Sequence, residues 1–103
     1  MKIINITNNY FDLVREQLRN TDALTVEVYS AGNTTAIFTR ASTHYEIVVT
    51  NKHRAIRDTE REAIKNFFFK KRIDKKIIDH DRITIVNEPR LFEISFPILK
   101  KFK

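Results

Sequence analysis

The chain has 103 residues, 42% hydrophobic and 31% charged, with a net charge of +6 and no cysteine. A chain this short makes one domain and buries only about two-thirds of the surface its unfolded form exposes, so its stability is modest. The missing thiols exclude disulfides, thiolate nucleophiles and thiolate metal sites, and no apolar run approaches the roughly 20 residues that span a bilayer.

Residues 2–7 read as a short strand carrying Ile3, Ile4 and Ile6, and Asn8 or Asn9 is placed to cap a helix over Tyr10–Arg19. That helix sets Phe11, Val14 and Leu18 on one stripe, opposite Arg15, Glu16 and Arg19. Leu24–Ser30 alternates, which predicts Leu24, Val26 and Val28 inward and Thr25, Glu27 and Tyr29 outward. Ala31-Gly32-Asn33 makes a turn whose glycine, used once in the chain, suits a positive φ. Thr34–Thr39 and Thr43–Asn51 continue as strands. A second helix opens at Asp58 or Thr59 with a Thr59-x-x-Glu62 capping box and runs to about Arg72. Ile83–Val86 and Phe92–Ile98 are two further strands around a turn at Pro89.

The order β-α-β-β-β-α-β-β predicts a single α+β domain: a mostly antiparallel sheet with both helices packed on one face. The expected core is Ile4, Ile6, Phe11, Val14, Leu18, Val26, Val28, Phe38, Ile47, Val49, Ile64, Phe67, Phe68, Ile83, Ile85, Ile94 and Phe96. The opening Met1-Lys2-Ile3-Ile4-Asn5 lacks the apolar core of a signal peptide, so a cytoplasmic protein without a membrane partner is expected.

Charge is distributed unevenly. Between Lys52 and Lys76 there are ten Lys/Arg against four acids, a surplus equal to the net charge of the whole chain. The cluster Lys70, Lys71, Arg72, Lys75 and Lys76 follows the second helix. Cations there complement the helix dipole, which accounts for several of them as a hydrated face; the functional competitor is a nucleic-acid or other polyanion surface. Lys52, His53, Arg54 and Arg57 precede the helix N-terminus, where free N–H groups favour an anion. On the helix itself Phe67 and Phe68 face the core, which turns Phe69 and Ile73 toward a second surface and makes them candidate interface residues.

Catalytic chemistry is hard to nominate. Asp79-His80-Asp81 resembles a metal cluster only superficially, because consecutive residues seldom point at one ion. A chain with one glycine has no Gly-rich phosphate loop and no dinucleotide fingerprint. No catalytic residue, metal or cofactor is expected.

The run Val26-Glu27-Val28-Tyr29-Ser30-Ala31-Gly32-Asn33-Thr34-Thr35, with Thr43-His44-Tyr45-Glu46 and Asn51-Lys52-His53-Arg54-Ala55-Ile56-Arg57-Asp58, resembles a family of small uncharacterised proteins from lactic-acid bacteria and related Firmicutes. Ile3-Ile4-Asn5-Ile6-Thr7-Asn8 and the Tyr10–Leu18 helix are similar as well, so the resemblance covers nearly the whole chain. The family is classed as a domain of unknown function; membership implies a small cytoplasmic bacterial protein and supplies no site residues. The expected function is a non-catalytic module that binds itself, as a homodimer, or another protein. The alternative is binding of a nucleic-acid phosphate backbone through residues 52–76.

Overall fold

β-Branched and aromatic runs separated by tight turns make residues 23–51 a three-stranded antiparallel meander. The computed structural model describes residues 2–20 and 22–102, with 17–20 as backbone alone. Its strands are β1 (Ile4–Asn5), β2 (Ala23–Ala31), β3 (Thr34–Ala41), β4 (His44–Asn51), β5 (Thr84–Asn87) and β6 (Leu91–Pro97); its helices are α1 (Phe11–Asn20) and α2 (Asp58–Lys71). Short 3-10 turns cover Thr7–Tyr10, Lys75–Ile77, His80–Arg82 and Lys100–Phe102. The sheet is antiparallel throughout, in the order β1-β2-β3-β4-β6-β5. The α+β class and the element order are as the pattern predicts. No described helix is long and apolar enough to cross a membrane.

Gly32 sits at φ 62 in the loop that closes β2 onto β3, where Ala31 pairs with Thr34. A Cβ placed there meets nothing within 4 Å, so the only obstacle to a side chain is the backbone conformation. Gly32→Ala is expected to cost about 1–2 kcal/mol, read as a lower denaturant midpoint with an unchanged slope.

The register sorts side chains onto two faces. Phe38 lies opposite Ile47, Ile47 opposite Ile94, and Ile94 opposite Ile85; Tyr29, Ala36, Val49 and Phe92 form the neighbouring row. Helix α2 covers this face. Phe68 stacks on Phe38 at 5.0 Å and meets Tyr29 edge-on at 5.1 Å, while Phe69 meets Phe96 edge-on at 5.0 Å. The reverse face carries Val26 and Val28, then Ile37 and Val48. There Tyr10 and Leu13 border a cleft floored by Ser30, Thr35, Ile37 and Thr50, and α1 packs on β2.

The helices therefore sit on opposite faces of the sheet, which corrects the expectation of a shared face. The reason lies in β2: Val28 and Tyr29 are neighbours in sequence and both are buried, so this strand is covered on both sides. Reading it as inward and outward assumed one covered face and sent Tyr29 to solvent.

Other departures follow from position. Ile4 and Ile85, expected in the core, are 49% and 59% exposed because β1 and β5 are the sheet edges, beyond the reach of a single helix. Leu24 and Phe11 are exposed too, the latter with the Arg15 guanidinium 4.5 Å from its ring centroid. The Leu18 side chain lies outside the described residues. Ile6, Val14, Phe67 and Ile83 are half-buried. Tyr29, Tyr45, Ile56, Ile73, Ile78, Phe92 and Ile98 join the core instead.

Candidate interaction surfaces

The loop into α2 is organised around a carboxylate. Asn51, buried at the end of β4, accepts from the N–H groups of His53 (2.8 Å) and Arg54 (3.0 Å) and donates to the Thr34 hydroxyl at 3.2 Å. Thr34 donates to Glu60 Oε2 at 2.7 Å. Arg54 closes on the same carboxylate with a two-pronged pair, Nη1 to Oε1 at 2.6 Å and Nη2 to Oε2 at 3.0 Å. Glu60 Oε1 also accepts the backbone N–H of Arg57 at 3.0 Å. These donors, Arg54 first, outweigh the cost of burial and lower the Glu60 pKa to about 2.

Glu60 is thus the internal anion of this helix start. The capping box places its acid at Glu60, not at Glu62 as the Thr59 pattern predicts; Glu62 turns to solvent and pairs with Lys65. The four residues expected to gather around a bound anion are dispersed. Arg54 is held by Glu60, Arg57 is exposed, and Lys52 and His53 border the cleft under Tyr10 and Leu13 on the reverse face.

Two more arginines of the basic segment hold the fold together. Arg61 is 8% exposed and donates to Asn87 Oδ1, to the Glu88 and Pro89 carbonyls, and to the Ile56 carbonyl, which pins the β5–β6 turn to α2. Arg72 donates from Nε to both oxygens of Glu27, the shorter at 2.9 Å, and from Nη2 to the Tyr29 hydroxyl at 3.0 Å. That hydroxyl donates in turn to Glu27 at 2.8 Å. Burial, then Glu27, pushes the Tyr29 pKa up, and the Glu27 hydrogen bonds raise that of Arg72.

The lysines differ. Lys70, Lys71, Lys75 and Lys76 are all exposed; Lys71 Nζ lies 5.9 Å from the Phe67 ring centroid and Lys75 Nζ 5.2 Å from that of Phe69. The polyanion cluster read from sequence therefore keeps its lysines at the surface, with Arg72 tied to β2.

Of the two interface candidates, Ile73 is corrected: it is 7% exposed and belongs to the core, because the chain turns in after α2 and its N–H bonds the Phe68 carbonyl. Phe69 is half-buried and walls an apolar groove of about 350 Å³ between α2 and β5, along with Asn66, Ile83, Ile85, Ile94 and Phe96. Beyond that groove all four residues of β5 are exposed. Residues 84–87 read as an ordinary strand in sequence, and without charge or proline nothing local sets them apart from an interior strand; the sheet order places them at the edge.

Among the described residues no three His, Asp or Glu gather as metal ligands. Asp79-His80-Asp81 enters a 3-10 turn in which His80 Nε2 contacts the Lys75 carbonyl at 3.1 Å.

Comparison with the curated proteins finds no match. A crystal structure described as a conserved protein of unknown function from Streptococcus thermophilus LMG 18311 is similar, with a TM-score of 0.91 and 52% identity over 95% of this chain and 97% of that one. The model of the family described as Domain of unknown function (DUF1827) matches residues 1–97, and the chain belongs to that family, as the sequence resemblance implied.

Proposed function

We propose that the protein is a non-catalytic interaction module that self-associates, pairing β5 with β5 of a second copy. One observation carries this reading: β5 ends the sheet with Ile85 59% and Val86 40% exposed, and its Thr-Ile-Val-Asn sequence contains no charge and no proline. A bare edge offers a row of backbone donors and acceptors, and natural proteins usually blunt such edges with charge, proline or a covering segment. A twofold partner fits because an isologous contact uses the same patch twice.

Charge supports the register. Pairing Ile85 with Ile85 of the partner subunit keeps both α2 helices on the same face of a continuous sheet. It also sets Arg82 opposite Glu88 of the partner subunit, and by symmetry the reverse. Both residues are exposed, and among the described residues the acid that the Arg82 guanidinium meets is Asp79, at a long 3.7 Å. The apolar groove walled by Phe69 lies beside the junction and would be narrowed by it.

Size-exclusion chromatography with light scattering at high protein concentration is expected to give twice the chain mass of 12.2 kDa. Ile85→Lys should give a folded monomer, since the residue it replaces is exposed. Glu88→Arg should weaken the dimer and Arg82→Glu added to it should restore it. A wild-type monomer at high concentration, or a dimer indifferent to Ile85→Lys, overturns the reading.

A further inference from the structure

We infer that the end of the molecule where α2 stops is a single-strand nucleic-acid surface, completed by Lys100 and Lys101 from a later segment of the chain. The fold brings them together: Leu99 N–H donates to the Ile77 carbonyl at 2.8 Å, and Ile78 bridges to Ile98. The 3-10 turn bearing Lys100 and Lys101 therefore runs beside the one bearing Lys75 and Lys76, just past Lys70 and Lys71. All six lysines are exposed. Asp74, the nearest acid in sequence, is occupied as the cap of its own turn, where it accepts from Lys76 N–H at 3.0 Å. Further along, Asp79 contacts Arg82 and His80 contacts the Lys75 carbonyl. Asp81, in the next turn, is exposed.

Two features choose the ligand class. The first is that the cations are lysines, while Arg54, Arg61 and Arg72 are paired to acceptors of their own fold, Arg61 buried and the other two partly open to solvent. A lysine is a compact point charge on a flexible stem that neutralises a phosphate without the fixed geometry of the arginine fork, which suits contact with a backbone whose bases are not read. The second is Phe102. Its ring is 46% exposed, and Lys101 Nζ lies 5.2 Å from its centroid. An exposed aromatic set among lysines is a stacking platform, and only an unpaired base offers its face to one. The occupant is therefore a single strand, bound with little regard to sequence.

The test is fluorescence anisotropy with a labelled oligothymidine across a range of salt. Six neutralised phosphates give a log–log slope of about −4, at about −0.7 per contact. Lys100→Glu with Lys101→Glu should weaken binding as strongly as Lys70→Glu with Lys71→Glu, each pair flattening the slope. Phe102→Ala should weaken it by about 5- to 100-fold and leave the slope unchanged. Lys52→Glu with Arg57→Glu removes the same charge at the opposite end of α2, roughly 20 Å away, and should have little effect. Absence of binding at low salt overturns the inference. So does equal weakening by the 52/57 pair, which would mark attraction to net charge alone. Equal affinity for polyglutamate, or tighter binding of duplex, overturns the ligand class.

Discussion

Phe68→Ala should lower the thermal midpoint by about 15–30 °C, whereas Phe67→Ala, one residue away, should lower it by less than half as much. Phe68 has no exposed surface and sits between Phe38, stacked at 5.0 Å, and Tyr29, edge-on at 5.1 Å. Removing a fully buried phenyl costs about 3–5 kcal/mol in lost transfer energy and residual cavity. A domain of this size has only about 5–15 kcal/mol in total, and each kcal/mol is worth roughly 4–8 °C. Phe67 is half-buried, with one side on Tyr29 at 5.3 Å and the Lys71 ammonium near its ring, so about 1–2 kcal/mol is expected. Differential scanning calorimetry of the pair checks the rotation of α2 about its axis. Equal losses, or a larger loss at Phe67, would mean the helix presents a different face.

The second large effect is an acid transition governed by Glu60. Its pKa falls from an ordinary 4.5 when unfolded to about 2 when folded. A lowered carboxylate pKa means the folded state holds its proton less tightly, so stability is fully present above pH 4.5. It is lost as pH falls through that value toward 2. The contribution is on the order of 2–3 kcal/mol, allowing for solvent screening at Arg54, whose side chain is one-third exposed. Glu60→Gln should remove most of it at neutral pH, because a neutral amide replaces the carboxylate facing Arg54 and Thr34. Urea titrations at several pH values should then show wild type and variant converging near pH 2. A gap that stays constant with pH would mean that packing, not ionisation, is what Glu60 supplies.

The sequence by itself determined most of what local pattern governs, the acid of the α2 capping box excepted. Strand and helix order came from period-2 and period-3.6 alternation, the β2–β3 turn from its lone glycine, and the buried register of Ile64 and Phe68 from helical spacing. These rest on neighbours a few residues apart. Whatever depended on what covers a strand, or on which distant group meets a charge, was decided only in three dimensions. Val28 and Tyr29 look like an alternating pair, and only the placement of α1 and α2 on opposite faces buries both. Ile85 looks like core, and only its place at the sheet edge exposes it. The arginines of residues 52–76 read as surface charge alongside the lysines. Glu60, the Asn87–Pro89 turn and Glu27 take up Arg54, Arg61 and Arg72 and leave Arg57 at the surface, since the buried carboxylate of Glu60 and the turn carbonyls draw whichever donor the fold brings to them. The same logic joins Lys100 and Lys101 to Lys75 and Lys76: one hydrogen bond, between Leu99 and Ile77, sets side by side segments that charge counting along the chain keeps apart.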